Sequence, residues 1–261
     1  MPKFSANLTF LFTDLPLLER LGAAAKAGFK GVEYMSPYEE AKGDLATRLR
    51  DNGLTQVLFN LPAGNWGAGE RGIAIFPDRV DEFRRGVHQA IDYAGALGCG
   101  LVNCIVGLTP KDADAHALRN TLVDNLAYAA AELAKANIKL LVEPINTRDI
   151  PGFYLTRTDQ ARALIDEIGS DNLFVQYDIY HMQIMEGDLA RTMEANLPRI
   201  AHVQLADNPG RNEPGTGEIN YPFLFRYLDE IGYGGWIGCE YKPKTATVEG
   251  LGWYAAQTVD A

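Results

Sequence analysis

Eight short apolar runs recur along this chain, and stretches with helical periodicity separate them. The helical stretches include LPLLERLGAAAKAG, PDRVDEFRRGVHQAIDYAGALG and TDQARALIDEIG, and several end in Gly or Asn as helix C-termini do. Regular alternation of strand and helix predicts parallel strands joined by right-handed crossovers. The eight runs are FSANLTF, GVEYM, TQVLFN, GLVNCIVG, KLLVEPIN, LFVQYD, IAHVQLAD and WIGCEY.

Four of the later runs carry an acid or an amide at or next to their end. A carboxylate inside a hydrophobic sheet is costly unless it is paired, hydrogen-bonded or metal-bound, so several of them at the ends of strands need a shared purpose. Their oxygens are hard ligands, which suit Mg²⁺ or Mn²⁺ better than zinc. The pattern predicts one divalent metal site built by Glu143, Asp178, Gln204 and Glu240.

Each glutamate also has a simpler interpretation. Pro144 could merely end the fifth strand, leaving Glu143 to cap a loop, and Glu240 could form a salt bridge to Lys242. Neither alternative explains why strand periodicity places Glu240 on the same face as Gly238 and Trp236.

Eight β–α units can close into a (β/α)₈ barrel or form an open doubly wound sheet. The ends of strands five to eight share one rim only in the closed barrel, so we expect a barrel with its site at the C-terminal ends of the strands. The 261 residues match the length of about 250 that is typical of this fold. No linker or low-complexity tract divides the chain, which predicts a single domain over residues 1–261.

The predicted metal site also suggests a reaction. Glu143 and Glu240 at one divalent ion would form a pair of proton carriers, able to move a proton next to a carbonyl group. His181 follows Asp178 by three residues and would polarise a substrate oxygen, although a lone histidine is as often structural. His202 faces the same side as Gln204, one layer deeper, and is expected to support the ligands from behind. Glu33 is expected to do the same, and Asn7 would join it on the pocket floor.

Two loops complete the expected site. GAGERG at residues 67–72 matches the dinucleotide-binding GxGxxG only formally, because it follows the third strand and precedes Pro77 instead of opening a helix after the first strand. We interpret this loop, which carries Trp66, as a lid over a small substrate, or else as a plain surface loop. In the loop after strand seven, Arg211 suits a carboxylate or a sugar oxygen, as does Lys242 beyond strand eight, unless either is simply a solvated charge.

Composition excludes several classes of partner. A formal net charge of −10 repels a polyphosphate backbone, so nucleic acid is not an expected ligand. The sequence shows neither a signal peptide nor an apolar stretch of membrane-spanning length, so we expect no membrane association and a cytoplasmic location. Cys99, Cys104 and Cys239 lack CxxC spacing and are expected to be buried free thiols. Whether the chain forms a homo-oligomer is left open.

Six sequence motifs, in this order, closely resemble those of the hydroxypyruvate isomerase family within the xylose-isomerase-like barrels. They are NLPAGNWGAGERG, LVEPIN, YDIYH, HVQLAD, RNEPGTGEINYP and GCEYKP. The resemblance spans essentially the whole chain. It implies a (β/α)₈ barrel in which Glu143, Asp178, Gln204 and Glu240 bind the metal and the two glutamates exchange protons. Related ketose epimerases place a His at position 181 and an Arg near position 211 on the substrate. Their third ligand is a His, where this chain has Gln204, which counts against a zinc enzyme.

Several functions share these features. The leading expectation is an isomerase of a small hydroxy-keto acid that interconverts hydroxypyruvate and 2-hydroxy-3-oxopropanoate through an enediolate. Isomerisation of 2-oxo-tetronate is the alternative and ketose 3-epimerisation the third choice. The endonuclease branch of this barrel uses a zinc cluster, for which four histidines in a strongly acidic chain are poorly suited. A non-catalytic sugar-binding barrel is the last alternative.

Overall fold

The computed structural model describes residues 2–258, in which eight parallel strands close into one barrel. Strand β1 pairs with both β2 and β8, so the sheet has no free edge. This confirms the predicted (β/α)₈ barrel and excludes the open sheet. Met1 and residues 259–261 lie outside the described part, so the single domain over residues 1–261 stays a prediction. The strands are β1 Lys3–Asn7, β2 Gly31–Glu33, β3 Thr55–Asn60, β4 Leu101–Cys104, β5 Lys139–Val142, β6 Leu173–Asp178, β7 Ile200–Leu205 and β8 Trp236–Cys239.

Helices cover the outside of the barrel. All the predicted helical stretches form helices, and the structure adds α2, α6, α7 and α9. Helix α2 buries only Leu45 and Leu49, so its sequence carries little amphipathic signal. The helices are α1 Leu17–Lys26, α2 Lys42–Asp51, α3 Val80–Leu97, α4 Ala115–Lys135, α5 Thr158–Ile168, α6 Ile179–Met185, α7 Leu189–Asn196, α8 Tyr221–Glu230 and α9 Gly252–Thr258.

Left-handed residues end several helices, as the sequence predicts. Gly98 follows α3 with φ 64° and Gly169 follows α5 with φ 66°. Asn137, just beyond α4, has φ 58°. Glycine adopts this conformation without a steric penalty and asparagine tolerates it, so each residue turns the chain back toward the next strand.

The interior of the barrel is divided into an apolar part and a polar part. Leu101, Phe174, Ala201 and Trp236, each from the first two residues of its strand, pack with Val57, Leu58 and Leu141. Farther along the strands the buried side chains are polar, among them Asn7, Glu33, Asn103, Gln176, Asp178, His202 and Gln204. The apolar part closes one end of the barrel, and the polar part faces the C-terminal ends of the strands.

The three cysteines are buried and free, which confirms their prediction. Among residues 2–258, no helix combines the length and the apolar character needed to cross a membrane.

The polar part of the barrel interior requires a residue without a side chain at position 238. A Cβ atom added there would lie 2.2 Å from Oε1 of Glu33. We expect Gly238→Ala to lower the free energy of unfolding by about 1–3 kcal/mol, the usual cost of overpacking, in urea titrations. Gly95→Ala on the exposed side of α3 is the control, because its Cβ would meet open space and alanine favours a helix. Equal unfolding midpoints for Gly238→Ala and the unchanged protein would contradict this packing argument.

Candidate active site

A cavity of about 570 Å³ opens at the C-terminal ends of the strands. The charged and ionisable residues that line it include Glu143, Asp149, His181, Arg211, Glu240 and Lys242. Asp178 and Gln204 do not line the cavity and are buried. Glu213 and Glu218, from the loop after β7, do not line it either.

Three buried residues come close enough to share a metal ion. Glu143, Asp178 and His181 each offer a ligand atom within 4.8 Å of the other two. Glu143 follows β5, Asp178 ends β6, and His181 lies in the first turn of α6. Oδ1 of Asp178 caps that helix by accepting hydrogen bonds from the backbone N–H groups of Tyr180 at 2.8 Å and His181 at 3.4 Å. Oδ2 of Asp178 is buried and has no hydrogen-bond partner among the described residues, so it is available to a cation.

The protonation of these carboxyl groups reflects their burial. Burial raises the pKa of Glu143 well above its ordinary value, and the negative charges of Glu240 and Asp178 raise it further. Burial also raises the pKa of Asp178 to about 6, although Arg211 opposes the shift. Closely spaced carboxylates with raised pKa values favour a bound cation, since a cation would remove much of their repulsion.

Hydrogen bonds fix the tautomer of His181. Oδ1 of Asn146 accepts hydrogen bonds from the backbone N–H groups of Arg148 at 3.0 Å and Asp149 at 2.8 Å. The amide NH₂ of Asn146 therefore points the other way and donates to Nδ1 of His181 at 2.6 Å. Burial and the charge of Arg211 lower the pKa of His181 well below its ordinary value, so the ring is neutral. Its single proton lies on Nε2, which is 3.8 Å from Oε1 of Glu143.

Glu240 is held from three directions. Its Oε1 accepts a hydrogen bond from Nη2 of Arg211 at 2.6 Å. Its Oε2 accepts from the amide groups of Asn7 at 2.9 Å and Gln204 at 2.7 Å. Burial raises the pKa of Glu240 to about 8, with Arg211 opposing the shift and Asp178 adding to it.

Beneath Glu240 lies a second carboxylate, Glu33, which is fully buried. Its Oε2 accepts hydrogen bonds from Ser5 at 2.7 Å and His202 at 2.9 Å. Its Oε1 accepts from Asn7 at 3.1 Å and Gln204 at 2.8 Å. Burial alone would raise the pKa of Glu33, but His202 and the other donors lower it below its ordinary value. Glu33 therefore ionises at a lower pH than Glu240 does.

Gln204 has its oxygen directed away from the other three predicted ligands. Its amide NH₂ donates to Glu33 and Glu240, while its Oε1 accepts from Nε2 of Gln176 at 2.6 Å. As it stands, Gln204 connects two carboxylates and presents no free oxygen. The structure thus brings Glu143 and Asp178 together with His181, and it places Glu240 with Arg211 and Gln204.

Arg211 lies above these groups in an aromatic setting. Its guanidinium carbon is 5.1 Å from the ring centre of Phe10 and 5.2 Å from that of Tyr180. Nη1 is 3.2 Å from Oδ2 of Asp149, in addition to the bond from Nη2 to Glu240. The pKa of Arg211 is raised because the surrounding carboxylates outweigh the effect of its burial. Arg211 is therefore a fixed positive charge that already contacts the carboxyl groups of Asp149 and Glu240.

The remaining predicted residues lie at the rim. Trp66 is 39% exposed, and its ring centre is 4.0 Å from the guanidinium carbon of Arg71. Lys242 is exposed, and its backbone N–H donates to the carbonyl oxygen of Arg211 at 2.8 Å. Sequence reasoning missed Arg71, which also lines the cavity, although it lies within the GAGERG loop. It also missed Asn146, which orients His181 and belongs to the LVEPIN motif.

Comparison with known proteins identifies the family. Residues 21–257 match the model described as the xylose isomerase-like TIM barrel, and the chain belongs to this family. It is 54% identical to hydroxypyruvate isomerase of Escherichia coli K12, over 97% of this chain and 98% of that protein. It is 48% identical to 2-oxo-tetronate isomerase of Cupriavidus necator, over 97% of each chain. A crystal structure titled AP endonuclease, family 2, from Brucella melitensis has a TM-score of 0.96 at 46% identity, covering 98% of this chain and 99% of that one. The predicted resemblance is confirmed.

The raised pKa of Glu240 makes stability depend on pH. The folded chain keeps this carboxyl protonated up to about pH 8, while the unfolded chain ionises it near its ordinary value of 4.5. Its contribution is therefore complete below pH 4.5 and is lost as pH rises toward 8. In chelator-treated protein, we expect the free energy of unfolding to fall between pH 6.5 and 8, by at most about 1.4 kcal/mol per pH unit for this proton.

Glu240→Gln should flatten that dependence, because glutamine does not titrate. Urea titrations at several pH values would measure both slopes. Identical slopes in the two proteins would show that Glu240 ionises normally in the folded state.

Proposed function

We propose that this chain is a hydroxypyruvate isomerase, interconverting hydroxypyruvate and 2-hydroxy-3-oxopropanoate. The observation that carries the proposal is the pair Glu143 and Glu240, two carboxyl groups with raised pKa values that line one cavity. Such groups can accept and return a proton near neutral pH. The high identity to a protein of that name, over nearly the whole of both chains, supports the same reaction.

The reaction needs one proton removed from carbon and one returned. One of the two glutamates takes a proton from C3 of hydroxypyruvate, beside the C2 carbonyl group, and leaves an enediolate. The other glutamate delivers a proton to C2, while the hydroxyl proton moves from the C3 oxygen to the C2 oxygen. In the reverse direction the two glutamates exchange roles.

His181 and Arg211 are proposed to bind the substrate, with Trp66 and Lys242 at the rim. His181 suits this role because the hydrogen bond from Asn146 leaves its proton on Nε2. A ring nitrogen that carries a proton cannot ligate a metal, so we assign His181 as a hydrogen-bond donor to a substrate oxygen. Arg211 would keep the carboxylates around it in position while donating to the substrate.

The residues present fit a divalent metal ion. Glu143 and Asp178 would hold it, because both are oxygen donors and Oδ2 of Asp178 is buried without a partner. Glu240 and Gln204 are the other proposed ligands, although Gln204 would have to present its oxygen instead of its NH₂ group. A bound Mg²⁺ or Mn²⁺ supplies positive charge that stabilises negative charge developing on substrate oxygens.

Isomerisation of 2-oxo-tetronate is the second candidate, because the Cupriavidus necator relative of that name is nearly as similar. The proton transfers are the same for both substrates. Incubation of the metal-loaded protein with each acid in heavy water, followed by NMR, separates them. We expect deuterium incorporation and product with hydroxypyruvate at the higher kcat/KM. A higher value for 2-oxo-tetronate would reassign the substrate, and no exchange with either acid would overturn the proposal.

Glu240→Gln should lower kcat for hydroxypyruvate at least ~10²-fold, because the substitution keeps the shape of the side chain but removes one proton carrier. Glu230→Gln, an exposed change at the end of α8, is the matched control and should leave kcat unchanged. Steady-state rates at saturating metal would measure both. A Glu240→Gln rate within a few-fold of the control would remove Glu240 from the mechanism.

Asp178→Asn should weaken Mn²⁺ binding at least ~10-fold, measured by calorimetry without substrate, because it removes one anionic oxygen ligand. Asparagine also caps helices well, so α6 should remain intact. Asp14→Asn, an exposed change with no described partner, is the control. Chelation of the unchanged protein should abolish turnover, and added Mg²⁺ or Mn²⁺ should restore it. Equal Mn²⁺ affinity in the two variants would place the ion elsewhere.

A further inference from the structure

A 2-oxo acid brings a carboxylate into a cavity that already holds several. The acids among the lining residues are Glu143, Asp149 and Glu240, and the cations are Arg71, Arg211 and Lys242. Arg211 is engaged by Glu240 and Asp149. An arriving carboxylate would have to compete with these two contacts for Arg211, so a cation without an acidic partner suits it better.

We propose that Arg71 receives the carboxylate of the substrate. In the described part of the chain no acidic side chain forms an ion pair with it. Its Nη1 donates to the carbonyl oxygens of Trp66 at 3.1 Å and Glu70 at 2.7 Å. Nε and Nη2 have no hydrogen-bond partner among residues 2–258, so three N–H groups of the guanidinium are available.

The available side of Arg71 suits a carboxylate. The ring of Trp66 stacks on the guanidinium, and the two carbonyl oxygens hold Nη1, so the plane of the group is fixed. Nε–H and one Nη2–H then point in parallel, which matches the two oxygens of a carboxylate. Trp66, predicted to touch the substrate, would act here by orienting Arg71.

The backbone beside Arg71 is anchored to the barrel. Gly72 has φ 98°, donates its N–H to the carbonyl oxygen of Ala63 at 2.9 Å, and forms a β-bridge with Val106. The contact is so close that a Cβ at Gly72 would lie 1.9 Å from the carbonyl oxygen of Ile105. The loop therefore carries Arg71 in a defined position, which reduces the ordering required on binding.

Lys242 suits the role less well than Arg71. It is exposed, and its ammonium group is a single strongly hydrated point charge. Such a charge attracts an anion but does not orient two oxygens. Arg71 would thus favour substrates that carry a carboxylate over neutral ketoses. This assignment rests on the proposed function.

The test compares Arg71→Met with Arg71→Lys. With hydroxypyruvate as substrate, Arg71→Met should raise KM about 10- to 100-fold while kcat changes by less than about threefold. Arg71→Lys should recover part of the loss, because lysine keeps the positive charge but lacks the two parallel N–H groups of arginine. Arg48→Met, an exposed change of equal charge on α2, should match the unchanged protein. Lys242→Met should raise KM less than Arg71→Met does.

A binding measurement makes the test independent of turnover. Glycerate has the carboxylate but no carbonyl group, and glycerol has neither. Calorimetry should show that Arg71→Met weakens glycerate binding by a similar factor and leaves glycerol unaffected. If the unchanged protein fails to isomerise hydroxypyruvate, the proposed function falls, while glycerate binding still decides the role of Arg71. Equal glycerate affinity in Arg71→Met and Arg48→Met, no glycerate binding to the unchanged protein, or a larger effect of Lys242→Met would overturn the proposal.

Discussion

The polar interior of this barrel depends on one ionised carboxylate, Glu33. A buried charge costs several kcal/mol unless donors surround it, and here each oxygen accepts two hydrogen bonds. The donors come from β1 and β7, so the charge ties together strands on both sides of the point where the barrel closes. Asn7 and Gln204 each use their second N–H to bind Glu240. The position of Glu240 therefore follows from the position of Glu33.

The two acids share donors but differ in protonation. Glu33 has two further donors, Ser5 and His202, which compensate for its burial. Glu240 has Arg211 as its cation and lies near the negative charge of Asp178, and the balance raises its pKa. Opposite pKa shifts in neighbouring carboxyl groups are typical of enzymes that need both a fixed charge and a proton carrier.

The eight strands could be predicted from the sequence because apolar runs are a local signal. The polar residues at the ends of these runs indicated the rim of the barrel that holds the site. Helix α2 was harder to predict, because its short buried face gives little helical periodicity. The amide direction of Gln204 depends on Gln176, and Arg71 is positioned by stacking on Trp66. Such orientations are set by contacts between side chains, and residue spacing does not encode them.

The carboxylate of Asp178 contributes to two parts of the site, one through each oxygen. One of its oxygens caps α6 by accepting hydrogen bonds from the backbone N–H groups of Tyr180 and His181. The other lies near Glu143 and His181 and has no hydrogen-bond partner among the described residues. Because a carboxylate is rigid and planar, the position of one oxygen fixes the position of the other. The hydrogen bonds of the cap therefore set where the second oxygen lies relative to the start of α6. The N-cap of a short helix thus determines the spacing between a buried acidic oxygen and the neutral histidine one turn away.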